Sequence, residues 1–295
     1  MTFNPDSNIG SGNVSRRGRN TGMAVGGGGI LVVILALVSP LLGVDLTPLA
    51  GMFGDPGTSQ QAGPVDNLDE CKTGADANAD VGCRMKGAAA SLDTYWAQTF
   101  AAEGITYRSP ATLVLFSGST STGCGSATSA TGPFYCPPDE TIYLDTEFFD
   151  QLRSQFGASG GPLAEMYVVA HEWGHHIQNV LGTMDNLNLQ DTGAASDSVR
   201  LELQADCYGG AWVKNASTVA DSNGVPFLQK ITKQQISDAL NAAQAIGDDR
   251  IQEMSNGQVH PETWTHGSSD QRMTWFTTGY DNGPTACNTF DVTQP

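Results

Sequence analysis

Basic side chains are scarce in this chain: its 295 residues hold 14 Lys and Arg against 31 Asp and Glu, a formal net charge of −17. Nucleic-acid binding generally needs a basic face that displaces counterions from phosphates, so the charge balance argues against that partner. Charged residues make up only 15% of the chain and 39% is hydrophobic. That composition is far from the charged, apolar-poor signature of disorder and suffices for a packed core. No repeat of 20 to 50 residues is present, which sets aside solenoids and propellers. The 35 glycines lack the every-third-residue period of collagen. None of the six cysteines stands in a Cys-x-x-Cys pair, so a zinc knuckle or a redox dithiol is not indicated.

What is present begins at the N-terminus. Residues 1–22 are polar, with a basic knot at Arg16, Arg17 and Arg19, and read as a disordered basic tail. No charge follows Arg19 until Asp45. The 22 residues from Met23 to Val44 would make a helix about 33 Å long, enough to cross a hydrocarbon core. The basic flank predicts a signal anchor with its N-terminus in the cytoplasm and everything after Asp45 translocated. A cleaved signal peptide is the competing reading, but no clear small-x-small site follows Val38. The expected location is therefore the cell membrane, single-pass, with the bulk of the chain extracytoplasmic.

All six cysteines lie beyond the anchor, and an even count there favours disulfides. Proximity in sequence suggests Cys71 with Cys83 and Cys124 with Cys136, leaving Cys207 with Cys287. Residues 45–84 are rich in Gly, Pro and Asp without periodicity and read as a linker carrying one disulfide loop. The folded domain is then 85–295. Leu92, Tyr95, Trp96 and Phe100 at helical spacing predict a helix over 86–103. Strands are expected at 111–116 and 141–144, then helices near 146–156, 162–181, 195–218, 232–246 and 268–279. Capping boxes at Thr232 with Gln235 and Ser268 with Gln271 mark two of the starts. A little sheet early and helices after is an α+β arrangement, mostly helical.

The five histidines all lie beyond the midpoint, and two stand in His171-Glu172-Trp173-Gly174-His175. On a helix His171 and His175 are one turn apart on one face, so both can bind one Zn²⁺, and Glu172 beside them can act as general base toward the water that zinc activates. A third protein ligand is needed. Glu202 and Asp206, one turn apart among Leu201, Leu203 and Ala205, suit that need: Glu202 on the metal, and Asp206 accepting the outer N–H of a liganding imidazole. A solvated acidic pair is the alternative. His266, just ahead of the last helix, is either an oxyanion donor or a structural cap. Arg272 reads as a partner for a carboxylate. His176 is expected to pack or hydrogen-bond, and His260, before Pro261, to occupy a turn.

Several further motifs accompany these: Gly123-Cys-Gly, Gly132-Pro-Phe-Tyr-Cys-Pro137, Ile142-Tyr-Leu-Asp145, Glu202-Leu-Gln-Ala-Asp-Cys207, Ala242-Ala-Gln-Ala-Ile-Gly-Asp-Asp-Arg250 and Thr265-His-Gly267 with Gln271-Arg272. Together with the basic tail, the anchor and His171-Glu-Trp-Gly-His-His176, they resemble the bacterial putative neutral zinc metallopeptidase family over nearly the whole chain. The resemblance implies a zincin fold, one Zn²⁺ per chain on His171, His175 and Glu202, and Glu172 as catalytic base. It also supports the pairs Cys124 with Cys136 and Cys207 with Cys287, whereas the loop closed by Cys71 and Cys83 departs from the pattern. A more distant similarity to membrane zincins of the prenyl-protein endopeptidase type implies a catalytic part for His266 and extends to Arg272. In zincins generally a sheet-edge strand beside the active helix takes substrate by β-addition, and Ile142, Tyr143 and Leu144 are the expected residues. The function so implied is a membrane-anchored endopeptidase acting on protein or peptide substrates. An envelope scaffold with a structural zinc, or a zinc amidase acting on cell-wall material, are the alternatives.

Overall fold

A computed structural model describes residues 2–18 and 65–295. The elements are β1 (Val14–Arg17), β2 (Val65–Asp66), α1 (Gly74–Ala79), α2 (Val81–Ala102), β3 (Thr112–Phe116), β4 (Ser119–Thr122), β5 (Gly125–Thr128), β6 (Phe134–Cys136), β7 (Thr141–Asp145), α3 (Phe148–Ser154), α4 (Pro162–Val180), α5 (Asp197–Asn215), α6 (Lys233–Ala245), α7 (Asp248–Asn256) and α8 (Ser269–Asn282). The α+β expectation holds, and the expected strands, helices and both capping boxes appear within a few residues. Strands β1, β3 and β7 run parallel, with β2 and β6 antiparallel at the two ends, in the order β2-β1-β3-β7-β6.

Side chains alternate across this sheet as a period of two requires. Leu113, Leu115, Ile142 and Leu144 join the main core beneath the helices. Val114, Phe116, Tyr143 and Cys136 form a smaller cluster on the other face. The β4–β5 hairpin is tied to β6 by Cys124–Cys136. Helix α2 buries the expected stripe of Leu92, Tyr95, Trp96 and Phe100 and meets α5 through Trp96 edge-on to Tyr208 and the Trp212 indole N–H donated to Ser91.

Helix α5 is central because glycines let its neighbours approach. A Cβ on Gly174 of α4 would stand 2.9 Å from the Ala205 Cα, and one on Gly279 of α8 would stand 1.8 Å from the Cys207 carbonyl oxygen. These contacts lock α4, α5 and α8 into one unit, and Cys207–Cys287 staples its far side. Gly279→Ala has no flexible neighbour to displace. It should lower stability by about 1–3 kcal/mol, read as a thermal midpoint depressed by several degrees.

The tail expected over residues 1–22 is not a tail where it is described. Phe3 and Ile9 are fully buried and Val14 nearly so. The Phe3 ring sits where a Cβ on Gly87 would be 2.5 Å away, and the Asn4 carbonyl sits 1.9 Å from a Cβ on Gly74. Asn78 accepts the N–H groups of Thr2 and Phe3 and donates to the Phe3 carbonyl. Arg16 pairs with Asp66 and Asp80, while Arg17 donates to Thr120 and Ser121 and lies over the Tyr143 ring. Arg16 and Arg17, half-exposed, thus have partners within the fold, and Arg19 lies outside the described residues.

The linker expected over 45–84 is corrected likewise from residue 65 on. Residues 65–84 hold β2, α1 and the first turn of α2, clamped by Cys71–Cys83, so the domain does not begin at Met85. The apolar run Met23–Val44, expected as the transmembrane anchor, lies outside the described residues. Among the described residues no helix is long and apolar enough to cross a membrane.

Candidate metal centre

Helix α4 starts at Gly161-Pro162, where proline's missing N–H is harmless, and every residue from Leu163 to Gln178 is buried. The His171-Glu-x-x-His175 motif therefore lies in the middle of a helix enclosed on all sides. Polar groups there require specific partners.

His171 and His175 face Glu202 of α5: His171 Nε2 is 3.1 Å from Glu202 Oε2, and His175 Nε2 is 3.4 Å from Glu202 Oε1. Ligand atoms at the corners of a tetrahedron with bonds of 2.0–2.1 Å stand roughly 3.3 Å apart. Each imidazole thus stands at close to that spacing from a Glu202 oxygen, and one ligand atom from each of the three residues lies within 4.8 Å of the others. The chemistry of the set, two imidazoles and one carboxylate, fits zinc with one position left over for a water molecule or substrate.

The outer nitrogens fix the tautomers. His171 Nδ1 lies 2.7 Å from Asp206 Oδ1, and Asp206 is a pure acceptor when ionised, so Nδ1 carries the proton and Nε2 is free for metal. His175 Nδ1 lies 2.8 Å from Gln178 Oε1, whose amide nitrogen donates to the Leu201 carbonyl and Gln204. Asp206, fully buried, also accepts from the Tyr167 hydroxyl and takes a two-pronged contact from Arg272, Nε at 2.8 Å and Nη2 at 2.9 Å.

The electrostatics agree with these roles. Burial would raise the Glu202 carboxyl, but the two imidazoles outweigh it and hold it well below the usual carboxylate range. Burial likewise opposes the charged form of His171, and Asp206 and Glu202 overcome it, lifting His171 to about 10. Such a site exchanges protons for a cation when it binds one. Glu172 is different: burial pushes its carboxyl up against the pull of the imidazoles, and no group among the described residues hydrogen-bonds it.

The family described as "Putative neutral zinc metallopeptidase" matches residues 4–290. The chain belongs to this family. It is 50% identical over 255 residues to an uncharacterized protein of Mycobacterium tuberculosis (strain ATCC 25618 / H37Rv), covering 85% of each chain. It is 40% identical over 287 residues to the uncharacterized protein YpfJ of Escherichia coli K12, covering 95% of this chain and 92% of the relative. No solved structure matches the chain.

Around this centre most expected residues converge and one set does not. Arg272 bonds Asp206 through Nε and Nη2, in keeping with a carboxylate partner, and brings Nη2 within 3.5 Å of His171 Nδ1. His266 lies near enough to Glu202 for their charges to interact and has 46% of its side chain exposed, with Nδ1 within 2.9 Å of the Thr265 hydroxyl and 3.4 Å of Asp248. Asp248 also accepts the backbone N–H groups of Thr265, His266 and Gly267. Crowding lowers the His266 pKa, but Asp248 and Glu202 outweigh it and hold the imidazole above its ordinary value. His176 is buried between the Tyr135 hydroxyl and the Arg108 carbonyl, and His260 precedes a short 3-10 turn, both as expected. All three disulfides form as expected.

The substrate strand is a correction. Ile142, Tyr143 and Leu144 lie on β7, which is paired on both sides, by β3 and β6, and its side chains are buried. Its main chain cannot take a peptide, and a proline at Ile142 would break the sheet itself. The strand at that end of the sheet is β6, Phe134–Cys136, packed on α4. Sequence reasoning also passed over Tyr167, Gln178 and Asp248. The first two had a signal: Tyr167 is one turn before His171 and Gln178 three residues after His175, on the liganding face. Asp248 stood in the motif Ala242–Arg250, but its role was not assigned, since that depends on a loop 17 to 19 residues away.

Proposed function

We propose that the protein is a zinc endopeptidase in which His171, His175 and Glu202 hold one Zn²⁺ and Glu172 is the general base. Bound there, zinc supplies Lewis-acid polarisation of the scissile carbonyl and acidifies the attacking water. The observation that carries the reading is Glu172: a largely buried side chain next to the ligand set, its carboxyl raised in proton affinity and hydrogen-bonded by no group among the described residues. A structural site has no use for such a group, while a general base needs it free. Glu172 takes the proton of the attacking water and returns it to the departing amine. His266, held at Nδ1 by Asp248 and Thr265, offers its Nε2 proton to the oxygen that gains charge. Strand β6 is the candidate for pairing with an extended substrate.

The three disulfides support a location outside the cytoplasm, and the run Met23–Val44 supports contact with the cell membrane.

The test begins with the metal. The oxidised protein should bind one zinc, lose it to a chelator together with cleavage of an unfolded protein substrate, and regain both on adding zinc back. Zinc binding at one per chain without release of peptides, but with release of cell-wall fragments, would replace the peptidase by an amidase. His266→Ala should lower kcat by on the order of 10²-fold with KM little changed, because the imidazole acts on charge that develops after substrate binds. An unchanged kcat would leave His266 as a cap of its own loop.

A further inference from the structure

We infer that the N-terminal segment 2–18 and the domain 65–295 occupy the same side of the membrane. The seat of the N-terminal segment carries this inference. Strand β1 lies inside the sheet, paired with β3 through Val14, Ser15 and Arg16 and with β2 through Arg16 and Arg17. Further back, Phe3 bridges to Leu228 and Asn8 to Thr73. Ser7 is fully buried, its hydroxyl on the carbonyls of Asn4 and Phe227, and Asp221 accepts the Asn8 N–H. A segment with this many buried partners, fitted against Gly74 and Gly87, is a component of the domain and cannot sit a bilayer's thickness away from it.

Two further observations agree. The last residue of β1, Arg17, is the register partner of Val65, so the two described segments meet at paired positions of one ladder. The seat is also stapled by a disulfide: Ile9 donates its N–H to the Lys72 carbonyl, next to Cys71, whose bond to Cys83 closes that loop. The compartment that oxidises Cys71 and Cys83 is then the compartment of the N-terminus. The arginines that argued for a cytoplasmic N-terminus have partners in the domain instead: Asp66 and Asp80 for Arg16, and Thr120, Ser121 and Tyr143 for Arg17. A single crossing by Met23–Val44 would tear β1 from β3. None of this depends on the site being a peptidase.

The test places single cysteines at exposed positions of the full chain, Asp6→Cys in the N-terminal segment and Asn223→Cys in the domain. The native cysteines are all in disulfides and give no background. Intact spheroplasts of the producing cell are treated with a membrane-impermeant maleimide before and after lysis. Equal labelling of both variants before lysis is expected. Equal labelling of both only after lysis would keep the one-sided arrangement and move it to the cytoplasm, overturning the proposed location alone. Asn223→Cys labelled before lysis and Asp6→Cys only after it would overturn the inference and restore a single crossing. Hydrogen exchange on the purified full chain is the second readout: protected amides at Asn4, Ile9 and Leu113 show that the segment is seated in the protein being labelled, and exchange at the rate of an unfolded chain would overturn the packing itself.

Discussion

Glu172→Gln should reduce cleavage by roughly 10² to 10⁴-fold while zinc remains bound and the fold remains intact or slightly firmer. Glutamine keeps the shape of the side chain and removes its ability to take a proton. The stability expectation has its own cause. The Glu172 side chain is largely buried, no group among the described residues hydrogen-bonds its carboxylate, and burial raises its proton affinity, so the ionised form is held at a cost that the amide does not incur. Activity lost with a thermal midpoint equal to or above that of the parent is the pattern of a group kept for chemistry. A scaffold predicts otherwise, since Glu172 would then be neutral to function. The measurement is peptide release from an unfolded protein, with zinc content and thermal midpoint on the same samples. Undiminished cleavage in the Gln variant would point to a contaminating protease or a different base.

The centre was legible because its residues are set by a helix period. His171, Glu172 and His175 lie within one turn of α4, and Glu202 and Asp206 within one turn of α5, so motif and helix period together placed each candidate set on one face of its helix. Gly174, in the middle of the motif, is legible in hindsight: it is where α5 comes closest. The N-terminal segment was illegible for the opposite reason. Phe3, Ile9 and Val14 are isolated in a polar stretch with no period, and the stretch is seated by glycines and an asparagine 70 to 84 residues away. Composition reads such a stretch as unstructured, because it averages over the residues that matter. The substrate strand failed for a third reason. Alternation marks Thr141–Asp145 as a strand but cannot tell an edge from the middle, and β6, only three residues long, gave too little pattern to be seen beside it.

Asp206→Ala should be the most destabilising change at the centre, by about 3–5 kcal/mol in the metal-free protein. It should also weaken zinc binding by about 10 to 100-fold. Both follow from one carboxylate with four donors. The Arg272 guanidinium is almost fully buried, and without Asp206 its charge loses the two contacts at Nε and Nη2. The Tyr167 hydroxyl and the His171 Nδ1–H lose their acceptor as well, and His171 is free to turn away from the metal position. The pair is best judged by a cycle. Arg272→Met alone leaves Asp206 with Tyr167 and His171, and Asp206→Leu with Arg272→Met removes both charges together, so the double variant should be less damaged than the sum of the singles.

Acid dependence supplies an independent check on the same group. Burial would raise the Asp206 carboxyl, but Arg272 and His171 outweigh it and hold the folded-state value below the ordinary one. A depressed carboxylate contributes stability that is fully present above its unfolded value of about 3.9. That contribution is lost as the pH falls through the lower folded value. The metal-free parent should therefore lose stability steeply below about pH 4, and the Asp206→Ala variant, already weakened at neutral pH, should lose less over the same interval. Equal slopes in the two proteins would mean that other carboxylates, Glu202 foremost, carry the acid transition. A variant that binds zinc normally but unfolds early would confine Asp206 to holding Arg272, whereas full stability with zinc lost would confine it to orienting His171.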